Sequence, residues 1–247
     1  MDALTIAAAS GLRSRIQSLD LLANNLANSG TSGYKRDQEF YGLYFSPESL
    51  DPNTGGPSST LPVVERQWTD FSQGALQVTG NPLDVALSGT GFFAVNGRGE
   101  TLYTRSGNLQ VLPSGELATA DGYPMRDVAG ATIHVAADKA VEISSDGTVR
   151  QDGQSVGQLA IVTFPSTASL QKAGSTCFQN TDVNNVPKAA TDVQVLQGKL
   201  EGSNVPVAEA AMRLVGVMRQ FEMLQRAVGV SSDMDNKTIQ EIARVGS

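Results

Sequence analysis

"LLANNLANSGTSGYK", Leu21–Lys35, begins as an amphipathic helix and then places three asparagines, two glycines, two serines and a threonine between Asn24 and Gly33. Helical propensity falls through Asn24, Asn25 and Asn28, and Gly30 and Gly33 can adopt the left-handed turn that stops a helix. Upstream, Thr5, Ala9, Leu12, Ile16, Leu19, Ala23 and Leu26 step 4-3-4-3, an a/d seam on one face, with Leu4 and Leu22 widening it. The spacing predicts a helix from Leu4 to Ala27, about 36 Å long at 1.5 Å per residue. The stretch is therefore a helix end followed by a passage toward a different kind of structure.

The far end of the chain has the same pattern. Val207, Ala211, Leu214, Met218, Phe221, Gln225 and Val228 step 4-3-4-3, and the phase continues through Ser232 and Asp235 to Ile239 and Ile242. Ser203 or Asn204 is the expected cap, with Pro206 near the first turn. The small residues Ala9, Ala23 and Ala211 on these seams permit close approach of two helices. Heptads at both ends, flanking a non-helical middle, point to terminal helices that pair.

Between them turn signals recur every eight to twelve residues: Ser106-Gly107, Pro113-Ser114-Gly115, Asp121-Gly122, Asp146-Gly147 and Asp152-Gly153. Asp-Gly steps supply the positive φ that tight hairpins require. Leu159–Phe164 is apolar throughout and reads as a strand buried on both faces. Two polar, Pro-containing stretches, Ser46–Thr60 and Asn180–Asp192, read as connecting loops. The expected fold is α+β: discontinuous N- and C-terminal α-helices pair in a coiled-coil-like domain around a central antiparallel β domain. Its expected divisions are 1–35 (N-terminal helix and elbow), 36–79 (extended connector and loop), 80–199 (β domain) and 200–247 (C-terminal helix).

Composition narrows the function. The 247 residues carry a net charge of −7 and 17% charged side chains. No Lys/Arg cluster offers the concentrated basic face that a phosphate backbone requires, so no nucleic-acid partner is expected. No run approaches the ~20 apolar residues of a membrane helix, so no membrane insertion is expected. The N-terminus lacks the charged n-region and unbroken apolar run of a cleaved signal. One cysteine, Cys177, rules out an intramolecular disulfide framework. His134, within "ATIHVAAD", reads as a packed strand residue, and one Cys and one His cannot supply four zinc ligands. No nucleophile elbow, H-E-x-x-H or Walker run occurs. "DMDNKTIQE", Asp233–Glu241, lacks the glycine of a calcium loop. Of the carboxylates that could form acid/base pairs (Asp84, Asp121, Asp146, Asp152), three precede glycine as turn residues do. The expectation is no catalytic residue, cofactor, metal or small-molecule substrate.

Several of these stretches occur together in one family. "ANNLANSGTSGYK" (Ala23–Lys35) resembles the N-terminal motif of bacterial flagellar rod and hook proteins. "GNPLDVALSGTGFFAVNGRGETLYTRSGNLQV" (Gly80–Val111) is similar to that family's central β signature, and "ELATADGYPM" and "ISSDGTV" follow in its order. "LEGSNVPVAEAAMRLVGVMRQFEMLQRAV" (Leu200–Val228) is similar to its C-terminal motif. The resemblance covers nearly all the chain except the loop at 46–60. The length argues against the hook type, which usually carries an additional domain. The "RQFEMLQRAV" ending looks more like the F-type proximal rod subunits than the G-type distal ones.

The resemblance implies a structural subunit exported through the flagellar type III apparatus without a cleaved signal. It would assemble helically with itself and other rod subunits into a basal-body shaft that crosses the periplasm and transmits torque. The expected assembly contacts are Leu12, Ile16, Leu19, Ala23 and Leu26 on the first helix, and Val207, Ala211, Leu214, Met218, Phe221 and Val228 on the last. Asn24, Asn25, Leu26, Ala27, Asn28, Gly33, Tyr34 and Lys35 form the family motif and elbow. The alternatives are a distal rod subunit or an extracellular β-type binding or adhesion module.

Overall fold

The computed structural model describes residues 3–45, 60–97 and 99–245. The fold is α+β: helix α1 (Ala3–Ala27), helix α2 (Val207–Val245) and short strands between them, paired antiparallel wherever the register is defined. The chain forms two compact units. A terminal unit comprises the described parts of Met1–Leu26, Asp37–Trp68 and Pro206–Ser247; a β unit comprises Ala27–Arg36 and Thr69–Val205.

In the terminal unit α1 begins and ends almost where its periodicity predicts. α2 runs unbroken through Asp233–Glu241, so the stretch weighed as a calcium loop is helical. The span read as a connector holds β1 (Asp37–Phe45) and β2 (Thr60–Thr69), which pair with each other. The proline-containing loop at 46–59 lies outside the described residues.

The β unit is built around a six-stranded sheet. Its strands run in the order Leu170–Lys172, Cys177–Asn180, Thr101–Thr104, Phe92–Asn96, Ile161–Thr163 and Lys188–Ala189. The two-residue period of a strand sends alternate side chains to opposite faces, and both faces are filled. Phe93, Val95 and Leu102 join Leu117, Met125, Val149 and Leu159 in the larger core. Phe92, Ala94 and Tyr103 face the other way, with Phe164, Leu170 and Phe178, and Phe71 closes that side edge-on against Phe92 and Phe178. Of the segment Leu159–Phe164, only Leu159 and Phe164 are buried. Ile161–Thr163 is half-buried, because its neighbour Lys188–Ala189 is a short, exposed edge strand.

Asp152-Gly153 joins Thr148–Gln151 to Gln154–Gln158 as a two-residue hairpin loop with φ of 51° and 78°. Positive φ at both positions is the type I′ signature whose twist matches the flanking strands. Ser106-Gly107 differs: Gly107 makes no such turn but lies flat against the neighbouring backbone. A Cβ there would sit 1.7 Å from the Val85 carbonyl oxygen, and the Gly107 carbonyl accepts the Val85 N–H at 2.9 Å. His134 is not packed: Ile133 and Val135 point inward, and it points out between them, bridged through its backbone to Glu116.

Gly107→Ala forces Val85 out of the core and is expected to lower stability by about 1–3 kcal/mol or more. Gly216→Ala has nothing within 4 Å of the added methyl and is expected to leave stability unchanged or raise it by up to about 1 kcal/mol. Urea denaturation of the two variants checks the contrast.

Candidate functional site

The elbow after α1 is held by the β unit. Thr31 N–H donates to Asn28 O at 3.1 Å as the helix unwinds. Of the two glycines read as left-handed stops, only Gly33 is left-handed, with φ of 72°. A side chain there would meet Ser106 N at 2.3 Å, so Gly33 is required by both conformation and space. Tyr34 is buried, with the Lys172 ammonium 4.1 Å above its ring.

Lys35 is fully buried. Its ammonium donates to Glu201 Oε1 at 2.5 Å and to Ser72 O at 2.6 Å. The other oxygen of Glu201 accepts from Arg105 Nη1 at 3.3 Å, and Gly74 N–H donates to Oε1 at 3.0 Å. Arg105 also donates to Gly89 O at 2.6 Å, stands 5.6 Å from the Phe92 ring centre, and keeps its buried Nε without a partner. Two cations thus share one carboxylate out of water. Burial presses both Lys35 and Arg105 below their ordinary pKa values, and Glu201 opposes this.

Beside the charges, Asn204 gathers the chain. Its side-chain oxygen accepts Arg36 N–H at 2.8 Å, and its amide donates to Asp70 O at 2.7 Å and to the Ser72 carbonyl and hydroxyl at 3.2 and 3.1 Å. The side chain expected to cap α2 is used here instead, and α2 starts after Pro206, whose carbonyl accepts Ala210 N–H at 2.9 Å. Arg36 Nε donates to Asp70 Oδ2 at 3.0 Å. Burial pushes the Asp70 carboxyl up, but the Ser72 N–H and hydroxyl and the Arg36 guanidinium outweigh it and hold the group below its ordinary 3.8. The resulting stabilisation is present above that value and is lost as pH falls through the lower folded one.

In the terminal unit the seams are placed differently from expectation. On α1 the buried side chains are Ser14, Ser18, Leu21, Leu22 and Asn25. With Gly11 these form a 3-4-3-4 row of mostly small or polar residues. A Cβ on Gly11 would lie 3.7 Å from Leu224 Cδ1. Asn25 exchanges two bonds with the Asp37 backbone, at 2.8 and 2.9 Å. The apolar row is displaced from this face: Leu12, Leu19 and Leu26 are half-buried, Ala23 is exposed, and Ile16 is 47% exposed. On α2 the more covered row is Ala210, Leu214, Val217, Phe221, Leu224 and Val228. It shares Leu214, Phe221 and Val228 with the expected seam but takes Val217 and Leu224 in place of Met218 and Gln225. Ala211 is half-buried, while Val207 and Met218 are exposed. The side chains of Thr5 and of Ser232, Asp235, Ile239 and Ile242 lie outside the described residues.

Of the elbow motif, Asn25, Gly33, Tyr34 and Lys35 are buried; Asn24 and Ala27 are exposed, and Asn28 is half-buried. Glu201, Arg105 and Asn204 were not expected from the sequence as site residues. The available signal was charge inside strand-like text, Arg105 in "LYTRSG" and Glu201 in "KLEGSN", since such charges are buried only when paired. No group of three His, Cys, Asp or Glu side chains able to hold a metal occurs among the described residues.

The β unit's dominant polar feature is a buried charge knot that holds its own distant segments together, the arrangement of a structural joint. The chain belongs to the flagellar basal-body rod protein family. Residues 86–151 match the flagellar hook protein FlgE/F/G D1 domain, and 196–241 match the flagellar basal body rod FlgEFG protein C-terminal domain. The flagellar basal-body rod protein FlgF of Caulobacter vibrioides is 30% identical over 231 residues, covering 92% of each chain. The rod protein FlgG of Agrobacterium fabrum is 32% identical over 258 residues, covering 95% of this chain and 97% of its own. FlgG of Caulobacter vibrioides is 29% identical over 255 residues, covering 94% and 97%.

Glu201→Gln leaves two buried cations without an anion and is expected to cost roughly 3–5 kcal/mol. Lys35→Met leaves one cation with one anion and is expected to cost about 1–3 kcal/mol. Equilibrium denaturation at neutral pH checks that order. Asp70→Asn should flatten the loss of stability seen on acidification below about pH 4.

Proposed function

We propose that the chain is a proximal rod subunit of the flagellum. It is exported through the type III apparatus and polymerises with itself and other rod subunits into the torque-transmitting shaft. The proximal assignment rests on alignment length. Against Caulobacter vibrioides FlgF, 92% of the chain is matched in 231 positions. Against FlgG of the same bacterium, 94% takes 255 positions, more than the chain's own 247, so gaps must be opened in it.

On this reading α1 and α2 pair antiparallel within the subunit. One contact supports it: a Cβ on Gly11, 16 residues before the end of α1, would lie 3.7 Å from Leu224 Cδ1, 17 residues after the start of α2 (27 − 11 and 224 − 207), the near-equal offsets that an antiparallel pair requires. The observation that carries the assembly reading is the division of α1: the face buried within the subunit holds Ser14, Ser18 and Asn25 beside Leu21 and Leu22, and the row Leu12, Ile16, Leu19, Ala23 and Leu26 is left partly or wholly uncovered. Leu12, Ile16, Leu19, Ala23 and Leu26 are then available to a neighbour, with Val207 and Met218 of α2. Such contacts join unlike surfaces, and a rotation that does not close the ring builds a helix.

Ile16→Lys and Met218→Lys alter exposed positions, so each is expected to leave the stability of the free subunit within about 0.5 kcal/mol. Each is also expected to prevent incorporation into basal bodies and to abolish swimming. Immunoblots of purified basal bodies check this; normal shafts containing either variant would refute the assignment of these faces.

A further inference from the structure

We infer that the Lys35–Glu201–Arg105 knot is a folding latch, which seats the N-terminal elbow on the β unit only when the segment 199–205 arrives. Lys35 has no exposed side-chain surface, and its anionic partner is 166 residues downstream. The elbow backbone depends on the same segment: Gly33 N–H donates to Glu201 O at 2.8 Å, Arg36 N–H donates to Asn204 Oδ1 at 2.8 Å, and Tyr34 O accepts Asn204 N–H at 3.4 Å. Before residues 199–205 are in place, seating the elbow would strand a buried cation beside Arg105 and leave the Gly33 and Arg36 donors unmet.

Both apolar cores are independent of that segment. Their members fall between Phe71 and Val195. The sheet can therefore form first, with Lys35 still in water, and the elbow follows in a second step. Glu201 enters that step on the antiparallel pair Leu76–Val78 with Lys199–Glu201, opposite Leu76. Because Asn204 holds Arg36 and Asp70 in the same step, the segments that lead into α1, β1, β2 and α2 are tied down together. The benefit to assembly rests on the rod reading, since one step would then order the chain next to both terminal helices. The latch itself does not, and it is read on the free protein.

Pulsed hydrogen exchange during refolding of the full chain tests it. Amides of 92–96 and 101–104 should gain protection first, and those of 33–36 should follow in the same later phase as 199–204. At equilibrium, Glu201→Gln should speed exchange across 33–36 by about 10²–10³-fold, as a stranded buried charge would, with the sheet still protected. Asn204→Ala, which removes no charge, should speed it by about tenfold. Protection of the elbow with the sheet or ahead of 199–204 would overturn the inference. So would native elbow protection in either variant, or a Glu201→Gln chain whose sheet fails to fold, which would place Glu201 in the core instead.

Discussion

One carboxylate between two cations, all three out of water, is the constraint on which the remaining architecture depends. Removing such charges from water costs several kcal/mol each, and the cost is offset only when geometry and extra hydrogen bonds are both good. Here the Ser72 and Gly89 carbonyls and the Gly74 N–H supply the extra bonds. An apolar plug of similar volume could pack as well. It would not demand that one particular residue near the start of the chain meet one particular residue near its end. The ion pair makes a single arrangement of elbow, sheet and C-terminal segment much better than its neighbours.

The helices and turns were legible because their causes are local. The period of α1 and the loss of propensity after Leu26 fix its extent, and Asp152-Gly153 reads as a hairpin because few pairs tolerate two positive φ values. What could not be read was which face of α1 turns inward. Hydropathy ranks Leu12, Ile16 and Leu19 above Ser14 and Ser18, but the buried face of α1 includes both serines, and a Cβ on the neighbouring Gly11 would already be in van der Waals contact with Leu224. Asn204 looked like a cap because Asn caps helices. Its bonds to Arg36, Asp70 and Ser72 span more than 130 residues of sequence, and no local pattern reports them. The same applies to Glu201. Gly107 carries a turn residue's identity, but its reason is the backbone of Val85.

The two units differ in how complete they are. The β unit fills both faces of its sheet and pairs its buried charges internally. The terminal unit buries two serines, an asparagine and two leucines on one face of α1 for its own packing and leaves part of its apolar surface in water. On the assembly proposed above, stability would reside in one part and association in another, so that substitutions on the helices would alter partners without unfolding the body.

The chain passes between the two units four times, at Leu26/Ala27, Arg36/Asp37, Trp68/Thr69 and Val205/Pro206. The last three junctions are laced together around Asn204, and the elbow that follows the first is pinned at Gly33 and Lys35 by Glu201. Within the β unit, residues far apart in the chain therefore share one set of bonds, and lengthening any one of these segments requires breaking bonds that also hold the others. A root of this kind yields all at once or not at all, as a knot does rather than a seam.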